Sequence, residues 1–218
     1  MSQPRPRVHF FVDGSNWYHS LRAIGLSDLG RLHYPRVFEK LTGPGRDWIA
    51  ARYYIPDVGI IGSPALLREQ RKFLDGIRAQ DQRIRVSLGR LEARTSKNDV
   101  AVELLRYLTS LDVRIESRVY GELFALGRTH QRVKVFVEKA IDVQIAVDMV
   151  QLSVAGAFDD AFLLSADGDY TPAVAAVRGY GRRVYSATPA PCVKLAAAVD
   201  QHFPLRRDWF EDCFHSEK

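Results

Sequence analysis

Apolar residues along this chain fall into short unbroken runs, separated by stretches in which they recur every three or four positions, the pattern of strands alternating with helices. Residues 7 to 12, Arg-Val-His-Phe-Phe-Val, form an apolar run that stops at Asp13-Gly14, which predicts a buried strand and then a turn. Ser15 is the expected N-cap of a helix through Leu21 and Ile24 to Gly25. A second run, Trp48 to Ile55, ends at Pro56-Asp57. After a loop from Gly59 to Pro64 the spacing predicts a helix with Leu66, Leu67, Phe73, Leu74 and Ile77 inward and Arg68, Arg71 and Lys72 outward. Residues 83 to 91 alternate as a strand with one polar face.

Farther on, residues 98 to 109 read as a helix, with Asn98 or Asp99 as cap and Val102, Leu105 and Leu108 inward. From Val113 to Val137 two strand-like runs around Gly121 and Gly127 interrupt the alternation. Ile141 to Val154 is nearly all apolar and predicts a helix buried on most sides. Ala161 to Leu164 is a strand, Thr171-Pro172 a helix start with Thr as cap, residues 183 to 187 a strand, and Pro191 to Val199 a helix. Strands joined by helices imply an α/β fold: a mostly parallel sheet covered on both faces, with ligands gathered beyond the carboxyl ends of the strands. No internal repeat or linker divides the chain, so residues 1 to 218 are expected to form a single domain with a C-terminal appendage at about 201–218.

Composition narrows the setting. With 46% hydrophobic and 26% charged residues the chain is that of an ordinary globular protein. Two cysteines, Cys192 and Cys213, cannot build a disulfide framework or a finger-type zinc site, which points to a reducing, cytoplasmic location. The N-terminal apolar run is too short and too interrupted for a signal peptide or a membrane span. The net charge of +5 is unevenly spread: residues 1 to 98 carry 17 basic and 9 acidic side chains, residues 99 to 218 carry 14 and 17. A basic face beside an acidic site suits a polyanionic partner.

The acidic residues lie where the fold would use them. Asp13 follows the first strand, and Asp167 and Asp169 follow the strand 161–164, so two distant loops bring carboxylates to one edge of the sheet. Converging carboxylates repel one another, and the ordinary remedy is a hard divalent cation, Mg²⁺ or Mn²⁺. Asp142 opens the helix 141–154, whereas Asp148 lies about 120° around it, sharing a face with Gln144 and Gln151, and reads as a polar residue that is structural or supports the site from behind its ligands.

Three motifs, Phe10-Phe11-Val12-Asp13-Gly14-Ser15-Asn16, then Glu138-Lys139-Ala140-Ile141-Asp142 with Ala146-Val147-Asp148-Met149, then Leu163-Leu164-Ser165-Ala166-Asp167-Gly168-Asp169-Tyr170, closely resemble the NYN-domain ribonucleases of the PIN-like superfamily. The segment Val177 to Val184 is similar to that family's step from helix to strand. The resemblance implies a PIN-like three-layer α/β/α sandwich and a metal-dependent endoribonuclease. Asp13, Asp142, Asp167 and Asp169 would be its metal-binding acids and Asn16 their catalytic neighbour. Many relatives have Gly where this chain has Ala140. The stretch at about 97–131 is longer than a minimal member needs, an insertion that could contact a protein partner, a second copy or the nucleic acid.

Hydrolysis of a phosphodiester by metal-activated water needs no side-chain nucleophile. The chain has no Gly-x-Ser-x-Gly pattern and its six histidines are scattered. Arg68, Arg71, Lys72 and Arg78, with Arg90 and Arg94 near the end of the third strand, are candidates for the RNA backbone. Trp17, Tyr18 and Tyr170 could stack on a base or pack the core. A dinucleotide fold lacks its Gly-x-Gly-x-x-Gly, a dehalogenase-type phosphatase lacks a second Asp at Ser15, and a topoisomerase-primase fold wants Glu in the early strand. The alternative from another class is a catalytically inactive NYN-like RNA-binding or scaffold domain.

Overall fold

A β-branched and aromatic run flanked by Pro and Asp-Gly has few choices but a strand, and Arg7–Asp13 forms β1. In the computed structural model, which describes residues 4–60, 63–112 and 114–214, α1 (Gly14–Ala23), α2 (Tyr34–Thr42), β2 (Asp47–Pro56), α3 (Pro64–Gln80) and β3 (Ile84–Lys97) follow. Next come α4 (Asp99–Ser110), α5 (Ser117–Thr129), β4 (Arg132–Lys139), α6 (Ile141–Val154) and β5 (Asp160–Leu164). The chain closes with α7 (Thr171–Gly179), β6 (Arg183–Thr188), α8 (Val193–Ala198), β7 (Gln201–Pro204) and a 3₁₀ turn, Arg207–Cys213. The strands form one sheet in the order β4-β3-β2-β1-β5-β6-β7. The β3-β2, β2-β1, β1-β5, β5-β6 and β6-β7 pairs are parallel. The protein is thus α/β with a mostly parallel seven-stranded sheet flanked by helices.

The chain divides into two compact units, residues 1–90 with 138–218, and residues 91–137. In the first, β1 is central and its side chains alternate between two cores. Val8, Phe10 and Val12 join a cluster with Trp17, Phe38 and Phe210, while Phe11 joins one with Ile145, Met149 and Val174. Phe10 packs 4.5 Å from Phe38 and 5.0 Å from Phe162, ring centre to ring centre. Each such buried ring contributes roughly 2–3 kcal/mol. The second unit comprises the far part of β3, α4, α5 and most of β4.

Several expectations are corrected. Asp13, not Ser15, caps α1, its side chain accepting from the Asn16 N–H. The strand runs straight into the helix, and a Cβ at Gly14 would lie 2.5 Å from the Tyr54 carbonyl oxygen, so only glycine lets the chain pass β2 there. The strand expected over 83–91 continues to Lys97. The strand-like runs around Gly121 and Gly127 are instead helix α5; Tyr120 and Phe124 stack one turn apart at 5.9 Å. Gly127 lets that helix approach α4, since a Cβ there would lie 2.8 Å from Leu105 Cγ. Val113 lies outside the described residues, as do residues 61 and 62 of the loop before α3.

Within α3 it is Leu74 and Ile77 that are buried, whereas Leu66 is 40% exposed. Helix α6 is buried along one stripe only, Ile141, Ile145, Met149 and Ser153, because the sheet meets one face; Val143, Val147 and Val154 are exposed. Thr171 is the first residue of α7 rather than its cap, and its hydroxyl donates to the Gly168 carbonyl at 2.6 Å. Residues 201–204 form the strand beside β6, and the following 3₁₀ turn buries Phe210 and Cys213. No helix among the described residues is long and apolar enough to cross a membrane.

Candidate active site

Asp13 sits at the carboxyl end of the central strand and is almost fully buried. Its Oδ1 accepts the Asn16 N–H at 3.1 Å, and its Oδ2 accepts the hydroxyls of Ser165 and Tyr170, each at 3.1 Å. All three donors are neutral. Burial dominates and pushes the Asp13 carboxyl up to about 6; the hydrogen bonds oppose the rise and the charge of Asp142 adds to it. The Tyr170 hydroxyl also lies 3.0 Å from Asp142 Oδ1. One phenol proton cannot serve two anionic oxygens at once, so this bridged pair favours a proton or cation shared between the carboxylates. The phenol itself is raised well above its ordinary range by burial and by both aspartates.

The loop after β5 is tied to α1 from both directions. Asn16 Oδ1 accepts the Ala166 N–H at 2.9 Å and is 3.4 Å from the Ser20 hydroxyl. Ser165, bonded to Asp13, accepts the Asp167 N–H at 3.1 Å. Asp167 in turn accepts the Asp169 N–H at 2.8 Å, an Asx turn that fixes the short 3₁₀ segment Gly168–Tyr170. Asp169 itself is exposed, 3.6 Å from Lys194 Nζ on α8.

On the other side Ala140 is the one non-glycine residue with positive φ among the described residues, at φ 68 and ψ 0. This left-handed residue turns the end of β4 into α6 and places Asp142 in the first helical turn. Glu138 accepts the Ser15 hydroxyl at 2.5 Å. Asp148 is engaged elsewhere, by Arg52 Nη1 at 2.6 Å and the Tyr54 hydroxyl at 2.7 Å, as its place on the helix suggested.

The structure therefore connects Asp13, Asn16, Asp142 and Asp167 through Ser165 and Tyr170, and leaves Asp169 outward beside Lys194. Among the described residues no three His, Cys, Asp or Glu side chains are grouped closely enough to hold a metal ion. Arg68, Arg71 and Lys72 are exposed on the face of α3 opposite Leu66, Glu69, Gln70 and Phe73, and are not brought to the aspartates. Arg78 pairs with Asp75 at 3.0 Å, Arg90 is exposed, and Arg94 lies in the second unit, 3.4 Å from Glu92. Of the candidate stacking aromatics, Trp17 and Tyr170 are buried and only Tyr18 is open to solvent.

Sequence reasoning missed Ser165, Glu138 and Lys194, and took Tyr170 only for a stacking or packing residue. Glu138, Ser165 and Tyr170 lie inside the quoted motifs, which was the signal that could have found them, whereas nothing in the sequence marked Lys194. Nor did it pair Cys192 with His202, whose ring nitrogens lie 3.5 Å from the thiol. Burial raises that thiol and lowers that imidazole, so the pair is not an activated nucleophile.

The site is thus a parallel α/β sheet with aspartates at the carboxyl ends of two adjacent strands, β1 and β5, and at the start of α6, the helix before β5. Residues 120–206 match the family model of the NYN domain, a domain of the PIN-like nuclease superfamily. The chain is similar to a protein of unknown function from Vibrio parahaemolyticus RIMD 2210633, whose crystal structure matches with a TM-score of 0.58 over 95% of this chain and 98% of that one. At 16% identity this likeness is one of fold. No curated protein matches the chain.

Proposed function

We propose that this protein is a metal-dependent endoribonuclease that hydrolyses RNA phosphodiester bonds at its aspartate set. The observation that carries the reading is the Asp13–Tyr170–Asp142 bridge, in which two carboxylates meet over one hydroxyl at the carboxyl edge of the sheet. The donor set is all oxygen and holds more negative charge than its own hydrogen bonds neutralise, which fits a hard cation, Mg²⁺ or Mn²⁺. Asp13, Asp142 and Asp167 would hold it, with Asp169 at the rim, and it would supply acidification of a water and neutralisation of charge on the phosphate. Asn16 keeps the 165–170 loop on α1, and its amide nitrogen remains to orient a phosphate oxygen. Lys194 offers positive charge at the rim. We read the fold as a PIN-like three-layer sandwich formed as a single domain, with about 97–131 as an insertion open to a partner and 201–218 as an appendage.

The second reading, an RNA-binding or scaffold domain without catalysis, is favoured by the absence of a tight three-carboxylate group among the described residues. Incubating the purified protein with single-stranded and structured RNA, with Mn²⁺, Mg²⁺ or EDTA, separates the two. Metal-dependent cleavage that Asp142→Asn and Asp167→Asn each reduce by about 10²- to 10⁴-fold supports the nuclease. RNA binding with no cleavage under any metal supports the scaffold.

A further inference from the structure

Beside the aspartate edge, within the same unit, lies an open cavity of about 390 Å³ between α1 and α3. Its size falls in the range of about 300–1,000 Å³ typical of small-ligand sites. Gly14 and Ser15, the two residues after Asp13, form part of its wall, so the cavity begins where the aspartate set ends. Tyr53, Ile55, Leu66 and Phe73 make it mostly apolar. Tyr18 stands at its edge with 41% of its surface exposed. The Tyr18 ring is held by an edge contact to His19 at 5.4 Å and by Arg22, 5.9 Å from the ring centre.

The polar lining selects among parts of a nucleotide. Gln70 is occupied, donating to the Pro56 carbonyl at 2.7 Å and accepting the Val58 N–H at 3.2 Å. Glu69 has no hydrogen bond or ion pair among the described residues. The other lining carboxylate, Asp28, is paired with Arg31 at 3.9 Å, and no Lys or Arg lines the cavity, so Glu69 is its uncompensated charge. Such a lining repels a phosphate and accepts a flat uncharged ring whose N–H or exocyclic amine can donate to Glu69. The basic residues of α3 point the other way.

We infer that this cavity is a nucleobase subsite: it takes one unpaired base of a single-stranded RNA, stacked on Tyr18 and bonded to Glu69, while the adjoining phosphate lies at the aspartate edge. The inference rests on the proposed nuclease reading for the identity of its ligand. A paired base cannot enter, so the subsite makes the protein selective for unpaired RNA.

The test is equilibrium binding in EDTA, where nothing is cleaved, by fluorescence anisotropy of a labelled single-stranded hexaribonucleotide, a duplex of equal length and a hexamer with abasic sites. Tyr18→Ala removes the stacking ring, Leu66→Trp fills the cavity from an exposed position, and Glu69→Gln removes the acceptor charge, with melting temperatures confirming folding. The expected result is that Tyr18→Ala and Leu66→Trp each weaken the single-stranded hexamer about tenfold. The abasic hexamer and the duplex should bind weakly to wild type and be indifferent to the variants. Glu69→Gln should weaken the single-stranded hexamer by less than Tyr18→Ala does, because the base donor loses the charge of its acceptor but keeps an amide oxygen. Wild-type affinity in both Tyr18→Ala and Leu66→Trp, or equal binding of the abasic hexamer, overturns the subsite, even if Mn²⁺-dependent cleavage is observed. Base-dependent binding without cleavage under any metal retains the subsite and overturns the nuclease reading.

Discussion

Two buried groups of the central strand, His9 and Asp13, should pull the stability of this protein in opposite directions over the same pH range. His9 is stacked on Phe11 at 4.6 Å, and its Nε2 is buried without a partner among the described residues. Burial, helped by Arg52 and Arg85 against Asp148, lowers its pKa from 6.5 to about 4. A depressed histidine contributes stability that is present above pH 6.5 and lost as pH falls through 4; at 1.36 kcal/mol per unit this amounts to about 3 kcal/mol. Asp13 is raised from 3.8 to about 6, so its contribution is complete below pH 3.8 and lost as pH rises through 6, again about 3 kcal/mol. In wild type the two largely cancel.

Urea unfolding in EDTA, followed by the fluorescence of the buried Trp17 and Trp48, at pH 7.5, 5.5 and 4.0 isolates each contribution. Relative to wild type, His9→Phe should gain about 3 kcal/mol between pH 7.5 and 4.0, and Asp13→Asn should lose about 2–3 kcal/mol over the same range. Offsets at a single pH reflect packing and do not bear on the argument. If the His9→Phe curve runs parallel to wild type within about 0.5 kcal/mol, His9 does not titrate abnormally and the reasoning is refuted.

Three further outcomes are expected. Ala140→Gly should raise stability by about 0.5–1 kcal/mol in the same unfolding assay, because the left-handed φ of 68 costs alanine more than glycine's extra chain entropy; unchanged or lower stability argues against that turn. Tyr170→Phe removes a donor from a buried carboxylate and should cost about 1–3 kcal/mol at pH 7.5 but less at pH 5, where Asp13 carries a proton; an equal loss at both pH values would show that the hydroxyl does not serve the charged form. Lys194→Ala should lower the salt slope of RNA binding by about 0.7, while Arg68→Glu with Arg71→Glu should change it less, a ranking checked by binding titrations from 50 to 300 mM salt.

Much of the molecule was legible in one dimension. Five of the seven strands, all but β4 and β7, follow from apolar or alternating runs, because a strand in a covered sheet needs only local apolarity and a turn at its end. The same rule put Asp13, Asp167 and Asp169 at the sheet's carboxyl edge. Helix α5 was not legible: its glycines break a local pattern, yet Gly127 serves the contact with α4, which local spacing does not reveal. The one-sided burial of α6 was hidden likewise, since valine spacing does not say how many faces a sheet will cover. Within the site, the motifs named the aspartates but not their connection. That Tyr170 turns inward to join Asp13 to Asp142, that Asp169 turns outward to Lys194, and that the basic face of α3 points away from the cavity depend on how distant elements dock. Residue type sets what each group can donate, accept or charge, and only packing decides which groups come within hydrogen-bonding distance.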